Sequence, residues 1–338
     1  MRNITMNDVA KKAGVSLGTV SNVINDKPGV KEINRQKVLK AMEDLDYIPN
    51  KAAQSFKTRR SNTFGLIIPT ITNPYYPAIA QGVAETSVRF GYQTILSHSE
   101  RKYEADLRNL ETLIGNRPAG IILVKPLLSE DEISRYAQHA PIVLIDRKAD
   151  FTGNYDVIMT NNYQGSVDAV NHLYELGHRK IAYIAGDMTF LSSVLRIDGF
   201  LQAMSNHRLR AIAEIPDGSF SWEYGRQRAI ELLQSSDRPT AIVCANDLIA
   251  LGVYKAARSL NIRIPEELSV VGCDDIDLCQ LVYPELTTVY QPKYEQGELA
   301  VRILVEQLER EQSRIRQGNT YLLPTRLIVR ASTARAQN

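Results

Sequence analysis

From Phe64 onward the chain alternates short apolar runs with helix-length amphipathic stretches, a pattern that few folds accommodate. The runs lie at 64–69, 93–97, 120–124, 142–146, 157–159, 180–185, 241–244 and 268–272. Helical stretches such as 75–90, 163–176, 193–206 and 248–260 separate most of them. This alternation predicts parallel sheets with helices on both faces, and its extent of more than 200 residues predicts two such lobes. Ligands of such lobes collect beyond the carboxyl ends of the strands, so polar residues just after a strand are the first candidates for a site. No solenoid-period repeat and no low-complexity segment interrupts the pattern.

The first 60 residues are built differently. Asn7 to Ala13 places Val9, Ala10 and Ala13 on one helical face behind Thr5, a plausible N-cap. Gly14 can supply the positive φ of a helix end, Ser16 can cap the next helix, and Val20, Val23 and Ile24 recur at helical spacing. Gly14-Val15-Ser16-Leu17-Gly18 has the spacing of a hydrolase nucleophile elbow, but an elbow serine follows an apolar strand and this one follows a helix. The segment reads instead as a helix-turn-helix. Past a turn at Asp26-Lys27-Pro28-Gly29, Val38, Leu39, Met42 and Leu45 give a third helix an apolar stripe for the first two to pack on. Tyr47-Ile48-Pro49 closes the unit, and a short alanine-bearing segment and a polar linker follow. The expected domains are 1–48, a hinge and linker at 49–62, and a body at 63–338.

Charge separates head from body more clearly than composition does. The 338 residues carry a net charge of +2, but residues 1–60 hold 12 Lys/Arg against 6 Asp/Glu and the remainder 28 against 32. A basic head on a mildly acidic body points to a polyanion, most simply nucleic acid, as partner of the head alone. Cys244 and Cys273 sit in apolar runs, so these and Cys279 read as reduced thiols, and the five histidines lack paired metal-ligand spacing. No glycine fingerprint for a dinucleotide and no nucleophile with its base is visible. No apolar run approaches a membrane span. A cytoplasmic, non-enzymatic protein without metal or cofactor is expected.

Asp8-Val9-Ala10, Gly14-Val15-Ser16, Thr19-Val20-Ser21, Val23-Ile24-Asn25 and Tyr47-Ile48-Pro49-Asn50 stand in order in the head. Asn73-Pro74-Tyr75-Tyr76, Leu176-Gly177-His178, Gly199-Phe200, Ala245-Asn246-Asp247, Val271-Gly272-Cys273-Asp274-Asp275 and Leu286-Thr287-Thr288-Val289 follow in the body. On these motifs the sequence, from about Thr5 to Thr333, resembles the LacI/GalR family of transcriptional regulators, which includes the lactose and purine repressors. The resemblance implies an α/β fold: an all-α helix-turn-helix head and a two-lobed, doubly wound body like that of the periplasmic binding proteins.

In the head, Leu17, Gly18, Ser21 and Asn22 face outward once the valines are committed to the core. Asn22 can pair with adenine, and Leu17 offers apolar contact suited to a thymine methyl. Many relatives carry arginine where Asn22 stands, so their guanine preference does not transfer. Thr5, Ser16, Thr19 and Asn25 suit phosphate contacts or caps. The resemblance further implies DNA contacts for Tyr47, Asn50, Ala53, Phe56 and Lys57, and a hinge helix over 50–57 that forms on the operator. Phe56 takes the place of the family's wedge leucine.

In the body, Asn73, Tyr75, Tyr76, Asp146, Arg147, Asn246 and Asp274 follow strands. Arg196 stands where the family clamps effector, and Phe220 and Trp222 lie in a loop region where relatives place an aromatic wall. Carboxylates, amides and a guanidinium beside aromatic faces suit a sugar or sugar derivative. Relatives often have aspartate where Asn161 stands. The expected protein is thus a homodimeric repressor of carbohydrate uptake or catabolism genes, binding a pseudo-palindromic operator under control of a small sugar-like effector. With no leucine heptad after Arg330, no tetramer is expected. A purine- or nucleoside-responsive repressor, or a global regulator whose body binds a phosphorylated partner protein, is the alternative.

Overall fold

The computed structural model describes residues 4–47, 61–147, 154–214, 218–309 and 318–337. Asn50, Ala53, Phe56 and Lys57 lie outside them. The chain divides into two units, 1–61 and 62–338.

The first unit holds helices α1 (Met6–Ala13), α2 (Leu17–Ile24) and α3 (Glu32–Asp44). Thr5 caps α1 through a capping box with Asp8, which satisfies two otherwise orphaned backbone donors. Gly14 ends α1 at φ +66°, a left-handed conformation that side chains resist. Ser16 then caps α2 by accepting from the Thr19 amide at 3.1 Å. Val9, Ala10, Ala13, Val20, Val23, Val38 and Ala41 are buried together at the centre of the three helices. Leu39, expected in the α3 stripe, is exposed instead. Ala41, three residues after Val38 and so on the same helical face, is buried there.

The second unit contains two six-stranded sheets. In chain order its elements are β1 (Thr63–Ile68), α4 (Tyr75–Arg89), β2 (Gln93–His98), α5 (Tyr103–Gly115), β3 (Gly120–Val124), α6 (Glu130–Ala137), β4 (Ile142–Ile145) and β5 (Asp156–Thr160). Next come α7 (Asn162–Glu175), β6 (Ile181–Ile184), α8 (Leu191–Asn206), β7 (Ile212–Glu214), α9 (Trp222–Gln234), β8 (Ala241–Cys244), α10 (Asp247–Ser259) and β9 (Ser269–Asp274). A short 3-10 turn, β10 (Thr287–Tyr290), α11 (Lys293–Glu309), β11 (Thr320–Leu323) and β12 (Arg326–Ile328) complete it.

The first sheet runs β11-β5-β4-β3-β1-β2 and the second β12-β10-β9-β8-β6-β7. Every pairing is parallel except that of β10 with β12. Central strands such as β3 and β8 are buried along their whole length, as covering helices on both faces require. Helix α11 packs on α4 through facing glycines: a Cβ on Gly82 would stand 2.2 Å from the Tyr294 carbonyl oxygen, and one on Gly297 2.3 Å from that of Ile79.

The two lobes are not consecutive in sequence. The chain leaves the first lobe after β5, returns after β10 to lay down α11 and β11, and leaves again to add β12. These crossings are tied to one another. The Asn161 amide donates to the Leu323 carbonyl at 3.0 Å, and Thr325 Oγ1 donates to the Asn161 carbonyl at 3.0 Å. The C-terminal tail is pinned by buried His178, which bonds Thr240 Oγ1 and Ser269 Oγ at 2.9 Å and the Ala334 carbonyl at 3.0 Å. Burial pulls the His178 pKa down, consistent with a neutral ring in that role.

Candidate functional site

On the head, the side chains expected to meet phosphate are engaged in local structure. Thr5 Oγ1 bonds Asp8 Oδ2 at 2.7 Å, Ser16 Oγ meets Thr19 Oγ1 at 2.9 Å, and Asn25 Nδ2 donates to the Ser21 carbonyl at 2.6 Å. Ser16 follows a helix and serves as an N-cap, which accounts for its place in the elbow-like spacing. Leu17, Gly18 and Asn22 are exposed on α2, while Ser21 and Tyr47 are half-buried. Among the described residues no hydrogen bond occupies the Asn22 side chain, so its amide remains available to a partner. Leu17, at the start of the capped helix, is exposed as well and presents apolar surface to solvent.

In the body, strand ends from both sheets supply one buried cluster. Arg196, on α8, donates from Nε to Asn162 Oδ1 at 2.8 Å and from Nη1 to the Ala245 carbonyl. Its Nη2 lies 3.4 Å from Asp274 Oδ1. Gln291 Nε2 reaches the same Asn162 oxygen at 3.2 Å, joining two of the interlobe crossings. Lys125, directly after β3, pairs with Asp146 Oδ2 at 2.7 Å and donates across to Ser192 Oγ of α8 at 2.9 Å. Arg101 forms a second interlobe tie with Asp187. Lys125, Asp146, Arg196 and Asp274 are all buried.

The backbone and the charges show that this cluster is not ordinary core. Lys125, Asp146 and Asp274 have φ of +49°, +58° and +122°. Non-glycine residues rarely adopt such conformations, which gather where function over-determines the chain. Burial pushes the Asp274 carboxyl up to about 7, and Asp247 adds to the rise, against the lowering effect of Arg196, Lys125 and Lys293. Burial alone would depress the Lys125 ammonium, but the Asp146 carboxylate overrides it and leaves Lys125 above the usual lysine range. Tyr75 is raised by burial and by Asp146 and Asp274. Among the described residues, three buried acceptors at these elements have no hydrogen-bond partner: Asp146 Oδ1, Ser193 Oγ and Gln291 Oε1. Buried acceptors without donors are rare.

Of the residues expected from sequence, Asp146, Arg196 and Asp274 enter the cluster directly. Tyr75 is bonded to Gln296 and its ring lies 5.7 Å from Lys125 Nζ, and Tyr76 packs edge-on against Tyr75. Asn246 caps α10, accepting from the Ile249 amide at 2.9 Å, and Asn73 accepts from the Tyr75 amide at 3.0 Å in the turn before α4. Phe220 stands 5.6 Å from Lys125 Nζ, beside Phe190. Arg147 points elsewhere and donates to the Pro126 carbonyl at 2.8 Å. Trp222 is not in a loop: it opens α9, capped by Ser221, and its ring lies under Lys255 at 4.3 Å. Sequence reasoning missed Lys125, Asn162, Phe190, Ser192, Ser193 and Gln291. Lys125 and Asn162 obey the strand-end rule already in use, while the others lie on helices or crossings that only the fold brings near. Among the described residues no group of acidic, histidine or cysteine side chains is placed to hold a metal ion, and no helix is long and apolar enough to cross a membrane.

Residues 5–50 match the family of bacterial regulatory proteins of the lacI type, and residues 170–333 match the periplasmic binding protein-like domain. Over 330 residues, 95% of this chain and 97% of the relative, the sequence is 36% identical to the ribose operon repressor of Escherichia coli K12. The chain belongs to the lacI family. A lac repressor dimer solved on its operator with the anti-inducer ONPF matches over 98% of this chain and 100% of that one, with a TM-score of 0.86 at 29% identity. A LacI-family regulator of Enterococcus faecium solved with ribose covers 81% of this chain and 100% of its own, with a TM-score of 0.72 at 28% identity. This lacI-family member is therefore a DNA-binding transcriptional regulator, with a helix-turn-helix head and a two-lobed body.

Proposed function

We propose that the chain is a cytoplasmic, homodimeric repressor of carbohydrate uptake or catabolism genes, controlled by a small sugar-like effector held between the lobes. It carries out no catalysis in this reading. Residues 1–48 serve as the DNA-binding domain, 49–62 as hinge and linker, and 63–338 as the effector-binding and dimerisation domain. Helix α2 enters the major groove of a pseudo-palindromic operator, where Leu17, Gly18, Ser21 and Asn22 read base edges. Thr5, Ser16, Thr19 and Asn25 lie along the phosphates, with Tyr47 and the segment carrying Asn50, Ala53, Phe56 and Lys57 completing the grip.

The observation that carries the effector reading is the interlobe cluster, in which charged side chains from both sheets converge on unpaired acceptors. Asn73, Tyr75, Tyr76, Phe220 and Asn246 surround or support it in this reading, while Arg147 turns to Pro126 and Trp222 to Lys255. The names of the relatives agree with it: one represses a ribose operon, and another was solved with ribose. A ligand that bonds both lobes favours one arrangement of them, and operator affinity shifts by its differential affinity for the two. Dimerisation is supported by apolar surface on each lobe. Ile95 and Leu96 are exposed on the edge strand β2, and Leu281 and Tyr283 are 77% and 97% exposed on the other lobe. Footprinting of the purified protein on DNA flanking its own gene, with and without added sugars, tests the proposal. A protected pseudo-palindrome whose occupancy responds to a sugar supports it, and protection indifferent to every sugar contradicts the effector part.

A further inference from the structure

The cleft gathers more positive charge than a neutral sugar needs. Lys125 Nζ uses Asp146 and Ser192 for two of its three donors, and lies 5.7, 5.2 and 5.6 Å from the ring centres of Tyr75, Phe190 and Phe220. Arg101 stands over the last two of those rings, at 4.9 and 5.5 Å, while pairing with Asp187. Two cations from different elements of the first lobe therefore share one aromatic pair on the second. Arg196 and Lys293 add two more cations around Asp274. Against these four stand Asp146 and Asp187, each already paired with one of them, and Asp274 and its buried neighbour Asp247, whose carboxyls burial pushes up.

Like charges inside a low-dielectric pocket repel strongly, and aromatic faces offset only part of that repulsion. A neutral sugar would satisfy Asp146 Oδ1 and Gln291 Oε1 through its hydroxyls, yet bring no negative charge to Lys125 and Arg101, which stand by the same two rings. An anionic group between them would relieve the repulsion and form charge-assisted hydrogen bonds.

We propose that the effector is a small polyhydroxylated acid whose carboxylate or phosphate binds between Lys125 and Arg101, with its hydroxyls on Asp146, Gln291 and Asp274. The proposal rests on the reading of the interlobe cleft as the effector site. Lys125 is the residue that sets the class of effector, and Arg101, tied across the lobes to Asp187, exchanges part of that tie for the ligand as the lobes settle around it.

The test is calorimetry on the full-length protein with matched pairs: D-glucose against D-glucuronate, and D-ribose against ribose 5-phosphate. At least one acid is expected to bind about tenfold or more tightly than its neutral partner, the gain that hydrogen bonds to charged groups provide. The two pairs separate a carboxylate effector from a phosphate one. Lys125→Gln and Arg101→Gln should each lower the preference for the acid more than they lower neutral-sugar affinity. Should Lys125→Gln fail to fold, Arg101→Gln carries the same comparison, because its guanidinium is partly exposed. Neutral sugars binding as tightly as their acids, or an acid preference untouched by the substitutions, would overturn the proposal and leave the sugar-effector reading standing. Absence of binding by all four ligands would overturn both.

Discussion

The head and the cleft handle polar side chains in opposite ways. On the head, Thr5, Ser16 and Asn25 close helix ends at the surface, and Asn22 is left exposed with its amide unoccupied. In the cleft, Lys125, Asp146, Arg196 and Asp274 are buried and pair with one another before any ligand arrives. The difference teaches where each region's free energy originates. The head depends on long-range attraction that water and salt screen, and the cleft on short contacts in a medium that screens little.

Salt should separate the two most sharply. If about six phosphates are neutralised, operator affinity falls about 1,000-fold between about 50 and 200 mM salt, because counterions are released on binding. Effector affinity across the same range should change far less, and equal slopes for both would erase the contrast.

Stability comes next. Arg196→Met removes the donor that holds Asn162, the Ala245 carbonyl and Asp274, and leaves buried polar groups unpaired. Urea unfolding of the body should show a loss of about 3–5 kcal/mol, the range for breaking a buried ion pair from one side. A loss typical of a surface substitution would show that the cluster does not hold the cleft together.

The head should respond in the reverse sense. Asn22→Ala should leave stability within about 0.5 kcal/mol, as exposed substitutions do. Discrimination between the best operator and one altered at the contacted adenine should drop by about 1–3 kcal/mol, measured by fluorescence anisotropy on the two duplexes.

The last expected effect is a pH dependence. Asp274 keeps its proton in the folded chain up to about 7. In an unfolded chain an aspartate loses it near about 4. Between those values deprotonation favours the unfolded chain, so the residue's contribution is full below the lower value and lost as pH rises to the upper one. Arg196, Asp247, Lys125 and Lys293 are the charged neighbours that tune it. Melting temperatures of Asp274→Asn relative to the parent should therefore rise across that interval, and a constant offset would contradict the assignment.

The same contrast explains what the sequence made legible. Strands buried on both faces announce themselves as apolar runs, and β3 and β8 fall on the expected residues. The missed strands are of another kind. β11 and β12 are short, half-exposed edge strands reached only after the chain has crossed between lobes. β10 is Thr-Thr-Val-Tyr, and its buried threonine hydroxyls are partnered, Thr287 Oγ1 accepting from the Arg330 amide and Thr288 Oγ1 donating to Asp247, a compensation invisible to a hydrophobic pattern. The site shows the same division. Asp146 and Asp274 were readable because they end strands, whereas Ser192 and Gln291 reach the cleft from α8 and from a crossing. Lys125 also follows a strand, but lysine is a residue type that ordinarily belongs to the solvent, so its burial shows only in the fold.

The central claim is that cleft and operator-reading head are coupled, and operator affinity measured at fixed salt, with and without a saturating ligand of the cleft, tests it most directly. The account predicts a shift of about fivefold or more, the size of an ordinary allosteric coupling, and its loss in Arg196→Met. A ligand shown by calorimetry to bind the cleft while leaving operator affinity unmoved would contradict it.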